Sequence, residues 1–550
     1  MQLNRIFPGV HRDNLRGDFY GGVTAAVVAL PLALAFGVAS GAGAIAGLWG
    51  AIIVGFFAAL FGGTPSQVSG PTGPITVVMA VIITQYAHDL RLAFTVVMLA
   101  GAMQIAFGAL KLGRYIAFVP FSVISGFMSG IGLIIIIIQL APMIGFDTSR
   151  DGVVTALTDL PNLLTSPVFD AVAVGLIALA VSILMPRRLR NYAPPPLVAL
   201  IAGTLVALFV FDGAPVLGDI PSGLPDANLP TFTSSEIAGM LASALILAIL
   251  GSIDSLLTSL VADTVTRTQH NSDRELVGQG IGNMVAGLFG ALPGAGATMR
   301  TMVNIRAGGR TSLSGALHAV LLLALVLGLA PLAENIPSAV LAGILLKVGW
   351  DIIDWGYLRR IRRAPRDGTV VMLTVLLLTV FVDLVTAVGV GVIMASLVSA
   401  RKLAGHQLSQ LRIYPRDTDT AALTEDEEEL LALAQGQVLL LQLNGPFTYG
   451  SAKGMVQLLT GKGEGYRCVV FDFSEVPMID GSIAMAIEEL LRQAHDSGQE
   501  VFVSGLGGQA VELLEQLNVL DSIPAEHRVR DRARALEIAI AVAAAPTPTD

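Results

Sequence analysis

At 550 residues, 53% of them hydrophobic and only 14% charged, the chain is too apolar to be mainly a soluble enzyme. Its net charge of -9, with no basic tract interleaved with aromatics, gives no reason to expect a nucleic-acid partner. Cys468 is the single cysteine, which excludes an internal disulfide and any multi-cysteine metal site.

Residues 1–18 contain no apolar stretch of the kind a cleavable signal peptide needs, so none is expected. From there, uncharged runs predict fourteen helical spans, near 19–40, 44–62, 73–88, 92–110, 115–144, 167–185, 193–211, 236–261, 276–292, 297–305, 312–332, 338–352, 368–385 and 387–400. With the N-terminus inside, even-numbered exits should carry Lys and Arg. From the fourth span onward they do: Lys111 and Arg114; Arg187, Arg188 and Arg190; Arg267 and Arg274; Arg306 and Arg310; the cluster from Arg359 to Arg366; Arg401 and Lys402. The exit after span two carries none. Outer loops hold few basics, chiefly Arg91 and Arg150, and the 213–235 loop carries Asp219 and Asp226 instead. Both termini are therefore expected on the cytoplasmic side, and fourteen divides into two sevens.

Spans three and ten are short, and each follows a glycine-rich break. Ser69-Gly-Pro-Thr-Gly-Pro-Ile runs from Gly and Pro into an apolar helix, with prolines suited to a first turn. Pro293-Gly-Ala-Gly-Ala-Thr-Met-Arg300 repeats the pattern in the second half. Irregular backbone within a bilayer survives only where protein or a water-filled cavity satisfies it. Free N–H groups and the positive dipole end of each half-helix would face that cavity, and Arg300 adds a full charge. Paired interrupted segments in corresponding halves point to a transporter's substrate site. The plainer alternative is two kinked helices with glycines for close packing.

Spans one and eight should occupy matching positions. The first has Pro31 at its centre, where it removes a helix hydrogen bond and kinks the chain. The eighth carries Asp254 in apolar surroundings, with Thr258 one turn later on the same face; together they could ligate a cation. A structural ion pair is the alternative for Asp254. His318, alone in span eleven, reads as a packed or hydrogen-bonded residue rather than a ligand.

After Lys402 the composition changes. Residues 403–435 read as an acidic connector, with the run Glu425 to Glu429 as a solvated face. From Gly436 strands near 438–443, 468–473 and 501–504 alternate with helices near 452–460, 482–497 and 508–517, a soluble α/β domain with Asp480 as a helix N-cap.

This combination resembles the SulP family of anion transporters with a STAS domain, over nearly the whole chain. The resemblance implies an α-helical membrane protein of fourteen spans as 7+7 inverted repeats, forming core and gate, followed by a soluble α/β STAS domain. It divides the chain into a transport domain at 1–402, the connector at 403–435 and a cytoplasmic STAS domain at 436–550. The stretch Val469 to Ser482 is similar to the STAS strand-loop-helix signature, although Gly481 stands where related signalling proteins place a phosphorylated serine, with Ser482 a weak substitute. Gly17 to Val27, Thr266 to Ser272, Glu275 to Asn283 and Gly294 to Met299 resemble the BicA-type branch of sodium-dependent bicarbonate transporters. The resemblance implies a sodium site at Asp254, Thr258, Gly296 and Thr298. It implies a bicarbonate site at Thr72, Gly73, Ala297 and Thr298 with the half-helix N-termini, and Arg300 beside it. Arg300 stands where that branch is expected to have glycine, while many other SulP members have arginine.

The expectation is a secondary transporter, not an enzyme, in the inner membrane. It would move bicarbonate with sodium by an elevator-like motion, with no bound cofactor, as a homodimer in the lipid bilayer. Alternatives are a sulfate or dicarboxylate transporter, proton-coupled or sodium-independent, and a membrane-anchored signalling protein whose STAS domain is the output.

Overall fold

The computed structural model describes residues 11–114, 120–146, 153–186, 189, 194–218, 225–382, 384–414 and 423–545. Arg150, Arg187, Arg188, Arg190 and Asp219, used above to orient the loops, lie outside the described residues, as do residues 115–119 of the fifth expected span. The chain divides into two compact units at Ile393 and Met394.

Each expected span coincides with a helix, the last of them running across the boundary between the units. In chain order these are α1 (Arg12–Ala39), α2 (Ala44–Phe61), strand β1 (Ser69–Gly70), α3 (Gly73–Gln85), α4 (Leu90–Ala109), α5 (Phe121–Met143), α6 (Val153–Leu163), α7 (Phe169–Leu184), α8 (Pro195–Phe209), α9 (Ile237–Thr266), α10 (Ser272–Leu288), strand β2 (Ala295–Gly296), α11 (Thr298–Ala307), α12 (Ser312–Ala333), α13 (Ser338–Ile352), α14 (Trp355–Arg360), α15 (Arg366–Phe381) and α16 (Leu384–Ser409). Two short helices, α6 and α14, fall in stretches expected to be loops. α1 begins at Arg12, seven residues before its expected start, and remains one helix through Pro31. That extension buries Asp18, whose carboxylate accepts the backbone N–H groups of Arg310 and Thr311 and the Thr311 hydroxyl at the start of α12. Ahead of α10 the chain is capped by Asn271, which accepts from Arg274 N.

Among the described residues, six helices could each cross a membrane by length and composition, and the bent pair α11 and α12, turned by 109°, could make a seventh crossing. The half-helices α3 and α11 are shorter, at 13 and 10 residues, and α7, α8, α10, α13 and α15 have 15–17 residues each, about 22–26 Å at roughly 1.5 Å per residue. The two breaks meet: β1 and β2 pair antiparallel, Ser69 opposite Gly296 and Gly70 opposite Ala295. Glycine is required there, since a side chain at Gly294 would overlap the Gly70 carbonyl group. Antiparallel pairing of equivalent breaks is the arrangement two inverted repeats produce.

The second unit begins earlier than the sequence suggested. α16 continues to Ser409, and β3 (Leu411–Tyr414) pairs antiparallel with β4 (Val438–Asn444) inside the stretch read as a connector. The acidic run is α17 (Glu425–Leu433), started by a capping box between Thr424 and Glu427. The rest of the domain follows as α18 (Tyr449–Leu459), β5 (Cys468–Glu475), α19 (Gly481–Asp496), β6 (Glu500–Ser504), α20 (Gly508–Gln516), β7 (Arg528–Val529) and α21 (Arg532–Ala544). The sheet runs β3-β4-β5-β6-β7, parallel from β4 onward. Leu439 and Leu441 pack on one face with Ile483 and Ile487, while Val438 and Leu440 pack on the other with Leu536 and Ala539. Burial on both faces explains why these strands read as continuous apolar runs.

Glu427 corrects the reading of the acidic run as a solvated face. It is buried and holds Arg532 through two hydrogen bonds, while Arg532 also reaches the fully buried Asp472 at 3.1 Å. Burial opposes ionisation of Glu427, but the Arg532 hydrogen bonds outweigh it and keep the carboxyl below the usual Glu range. Because the folded value is depressed, the stabilisation is present above the unfolded value near pH 4.5 and is lost as pH falls through the folded one. Urea unfolding of residues 405–545 should therefore show stability falling below about pH 4.5. Arg532→Met should cost roughly 3–5 kcal/mol at neutral pH by leaving Asp472 buried without its cation.

Candidate functional site

The site forms where the two half-helices begin. α3 starts with Thr72 at its N-cap position and Gly73 and Pro74 in its first turn; α11 starts with Ala297 at the N-cap and Thr298 first in the helix. No side chain caps either helix, so their leading N–H groups remain available. Threonine ordinarily caps such an end with its own hydroxyl. Thr72 instead donates that hydroxyl to Asp254 Oδ2, at 2.7 Å.

α9 lies across both breaks and uses two adjacent faces. On one, Thr258 Oγ1 donates to the Gly296 carbonyl at 2.9 Å and lies 2.7 Å from Thr298 Oγ1. Asp254 stands one turn before Thr258 on the same face. On the other, Ser255 accepts the Gly296 N–H, and Ser259 donates to Gln67 Oε1, both at 3.0 Å. The structure thus brings Asp254, Thr258, Gly296 and Thr298 together, with Thr72 joined to them through Asp254. A carboxylate, a peptide carbonyl and two hydroxyls are hard oxygen donors that suit a cation such as sodium. Among the described residues no group of His, Cys, Asp and Glu is arranged to hold a metal ion.

Arg300 goes elsewhere. It is buried, and its Nη2 donates to the Pro71 carbonyl at 2.7 Å, across to the chain leading into α3. Its Nη1 lies beside Gly70 and makes no hydrogen bond, and among the described residues no ion pair joins it to Asp254. The buried guanidinium thus sits against Gly70 of the paired strands, adding positive charge near the half-helix ends and interacting electrostatically with Asp254 without contacting its carboxylate. His318 is also buried and packed over Gly55.

A cavity of about 350 Å³ opens against Asp254 and Thr298, walled by Ile124 and Met128 of α5 and by Leu257, Leu260, Val261 and Thr264 of α9. An adjoining small pocket reaches Pro74 and again includes Asp254. Gly73 faces Ile135 and Ile352, where a Cβ would come within 2.9 Å of each. Apolar walls with a few convergent polar groups describe a small-ligand site.

Several residues of this site were given no role in the sequence. Asn283 holds Gly294 through both its amide atoms, at 2.7 and 3.0 Å, and Thr301 Oγ1 accepts Val68 N. Gln67, Gln279, Ser255, Ser259 and Glu275 are further examples. For Ser255, Ser259, Gln279, Asn283 and Thr301 the signal is a polar side chain in an apolar span, and Ser255 and Ser259 even repeat the four-residue spacing of Asp254 and Thr258, one position later; Gln67 and Glu275 lie outside the expected spans.

The sulfate permease family matches residues 15–375 and the STAS domain matches residues 430–532. The bicarbonate transporter BicA of Picosynechococcus sp. is 47% identical over 534 residues, covering 95% of this chain and 94% of its own. The bicarbonate transporter BicA of Synechocystis sp. is 48% identical over 531 residues, covering 95% and 94%. Among solved structures, the transmembrane domain of a cyanobacterium bicarbonate transporter BicA matches with TM-score 0.67 at 55% identity, over 70% of this chain and 100% of that one. SLC26A9 matches with TM-score 0.81 over 98% of this chain and 93% of that one; at 18% identity the likeness is one of fold alone.

Proposed function

The chain belongs to the sulfate permease family, and from that premise we propose that it carries bicarbonate, together with sodium, across the inner membrane. Two uncapped half-helix N-termini, joined through the paired strands β1 and β2, with Asp254 bonded to Thr72 at one and sharing a cavity wall with Thr298 of the other, are the observation that carries this reading. Thr72 and Ala297, at the N-cap positions, would bring the leading N–H groups of Gly73 and Thr298 to a small oxyanion, and Arg300 would add a positive charge nearby. Asp254, Thr258, Thr298 and the Gly296 carbonyl would hold sodium. Binding of one ion would then favour the other, because opposite charges a few ångströms apart attract in a site of low dielectric.

Transport needs no nucleophile or general base. It needs two conformations that expose the same site to opposite sides. Helices α1–α4 and α9–α12 carry the site and would form the moving core, leaving α5–α8 and α13–α16 as the gate and the surface through which two copies associate. The cytoplasmic placement of both termini rests on the distribution of arginines.

One observation favours a second reading. A permanently charged Arg300 so near the half-helices could stand in for the cation, giving sodium-independent transport of an anion such as sulfate. Uptake of labelled bicarbonate, sulfate and fumarate into proteoliposomes, with and without a sodium gradient, separates the two. Bicarbonate uptake stimulated by inward sodium is expected; sulfate uptake indifferent to sodium would replace the proposal with its rival.

A further inference from the structure

Glu275, near the start of α10, is fully buried, and among the described residues it pairs with no cationic side chain. Four N–H donors surround its carboxylate instead. Gly63 N and Thr64 N donate to Oε2, both at 2.9 Å, while Gln67 Nε2 and Gln279 Nε2 donate to Oε1, both at 2.8 Å. None of the four can accept a proton, so the arrangement is complete only for an ionised carboxylate. Charge-assisted bonds of this kind are short, strong and directional.

Each glutamine passes the constraint on to one of the crossing strands. Gln279 Nε2 also donates to Ser69 Oγ at 2.6 Å, which fixes β1. Gln67 accepts from Ser259 of α9 and packs against Gly296 so closely that a Cβ there would overlap its amide. Gly296 is the residue whose carbonyl accepts from Thr258 and whose N–H is held by Ser255. The peptide that would offer its oxygen to a cation is therefore confined on one side by α9 and on the other by a glutamine oriented by Glu275.

We propose that Glu275, acting through Gln67, is the residue that positions the Gly296 carbonyl for the co-transported cation, so that it sets cation affinity without touching either ion. This rests on the sodium reading above. Outer-shell hydrogen-bond partners of this kind are typically worth 10- to 100-fold in cation affinity. Glu275→Gln keeps the shape but turns an NH2 group toward two of the four donors, whichever oxygen it replaces. Gln67→Met keeps the bulk and removes the amide.

The test measures labelled bicarbonate uptake against sodium concentration in proteoliposomes. Alongside it, the thermal stabilisation of the purified full-length protein by sodium chloride is compared with that by choline chloride. Both variants should raise the sodium concentration for half-maximal uptake and for half-maximal stabilisation by roughly 10- to 100-fold. The bicarbonate KM at saturating sodium should stay at the wild-type value. Should Glu275→Gln not give a monodisperse protein, Gln67→Met decides alone. Variants that respond to sodium as the wild type does, or that shift only the bicarbonate KM, overturn the proposal. A wild-type protein indifferent to sodium in both assays overturns the sodium reading itself and the positioning role with it.

Discussion

Asp254→Asn is expected to abolish sodium-stimulated uptake, while Arg300→Gly is expected to retain it with a weaker hold on the anion. Asparagine preserves the size of the side chain and an oxygen that can still accept from the Thr72 hydroxyl, which lies 2.7 Å from Oδ2 in the native protein. What it removes is charge. At an effective dielectric near 20, two unit charges about 4 Å apart attract by roughly 4 kcal/mol, close to a thousandfold in affinity. The neutral oxygens of Thr258, Thr298 and Gly296 have no comparable attraction to offer.

The position of Arg300 decides the second half of that prediction. Had its guanidinium paired with Asp254, the two would neutralise each other and leave no net charge for a cation. Its hydrogen bond goes instead to the Pro71 carbonyl, 2.7 Å away, and no ion pair links it to the carboxylate. Asp254 is therefore left without a guanidinium in direct contact, although the two groups still interact electrostatically, and removing the arginine should spare the sodium response. It should raise the bicarbonate KM, because a buried positive charge near the half-helices is gone. Glycine at this helix position also costs about 1 kcal/mol in local stability, so expression must be matched. If wild-type uptake ignores sodium and only Arg300→Gly becomes sodium-dependent, the arginine is the built-in cation and the reading is wrong.

Much of this fold was legible because its signals are local. Spans announce themselves by uncharged length, and the two half-helices by glycine and proline ahead of a short apolar run. Asp254 and Thr258 were visible because a carboxylate within a span is costly and the four-residue spacing places both on one face. The direction of Arg300 was not legible, since a long side chain can reach either way and only the pairing of β1 with β2 brings the Pro71 carbonyl within its range. Glu275 was hidden for a related reason. Gly63, Thr64 and Gln67 lie more than 200 residues before it, and no sequence pattern links a carboxylate to backbone donors so far away. Glu427 was misjudged because one buried member of an acidic run looks like its solvated neighbours until Arg532, 105 residues on, is placed beside it.

Thr298→Pro tests the claim that the helix end itself binds the anion. Thr298 is the first helical residue of α11, a position where proline keeps the helix intact because its missing N–H had no intrahelical acceptor. Ala297 before it is already extended, with φ -99° and ψ 103°, close to what a following proline demands, and its own N–H still reaches the Val68 carbonyl at 2.9 Å. The substitution thus removes two things, the hydroxyl and one N–H that no side chain caps. Thr298→Val removes the hydroxyl alone. If the hydroxyl belongs to the cation and the N–H to the anion, valine should raise the sodium requirement and leave the bicarbonate KM at saturating sodium unchanged. Proline should do that and also weaken the anion by about 1.5–3 kcal/mol, roughly 10- to 150-fold, the worth of a hydrogen bond to a charged group. At working bicarbonate concentrations the result is near-complete loss of uptake by a protein that still inserts and purifies as the wild type does. Thr72→Pro should also stop transport, but less cleanly. Its native φ of -124° lies outside the range proline allows, and the hydrogen bond to Asp254 goes with the side chain. Proline and valine at position 298 are therefore the pair to compare, and equal bicarbonate KM values for the two would remove the α11 N-terminus from the anion site.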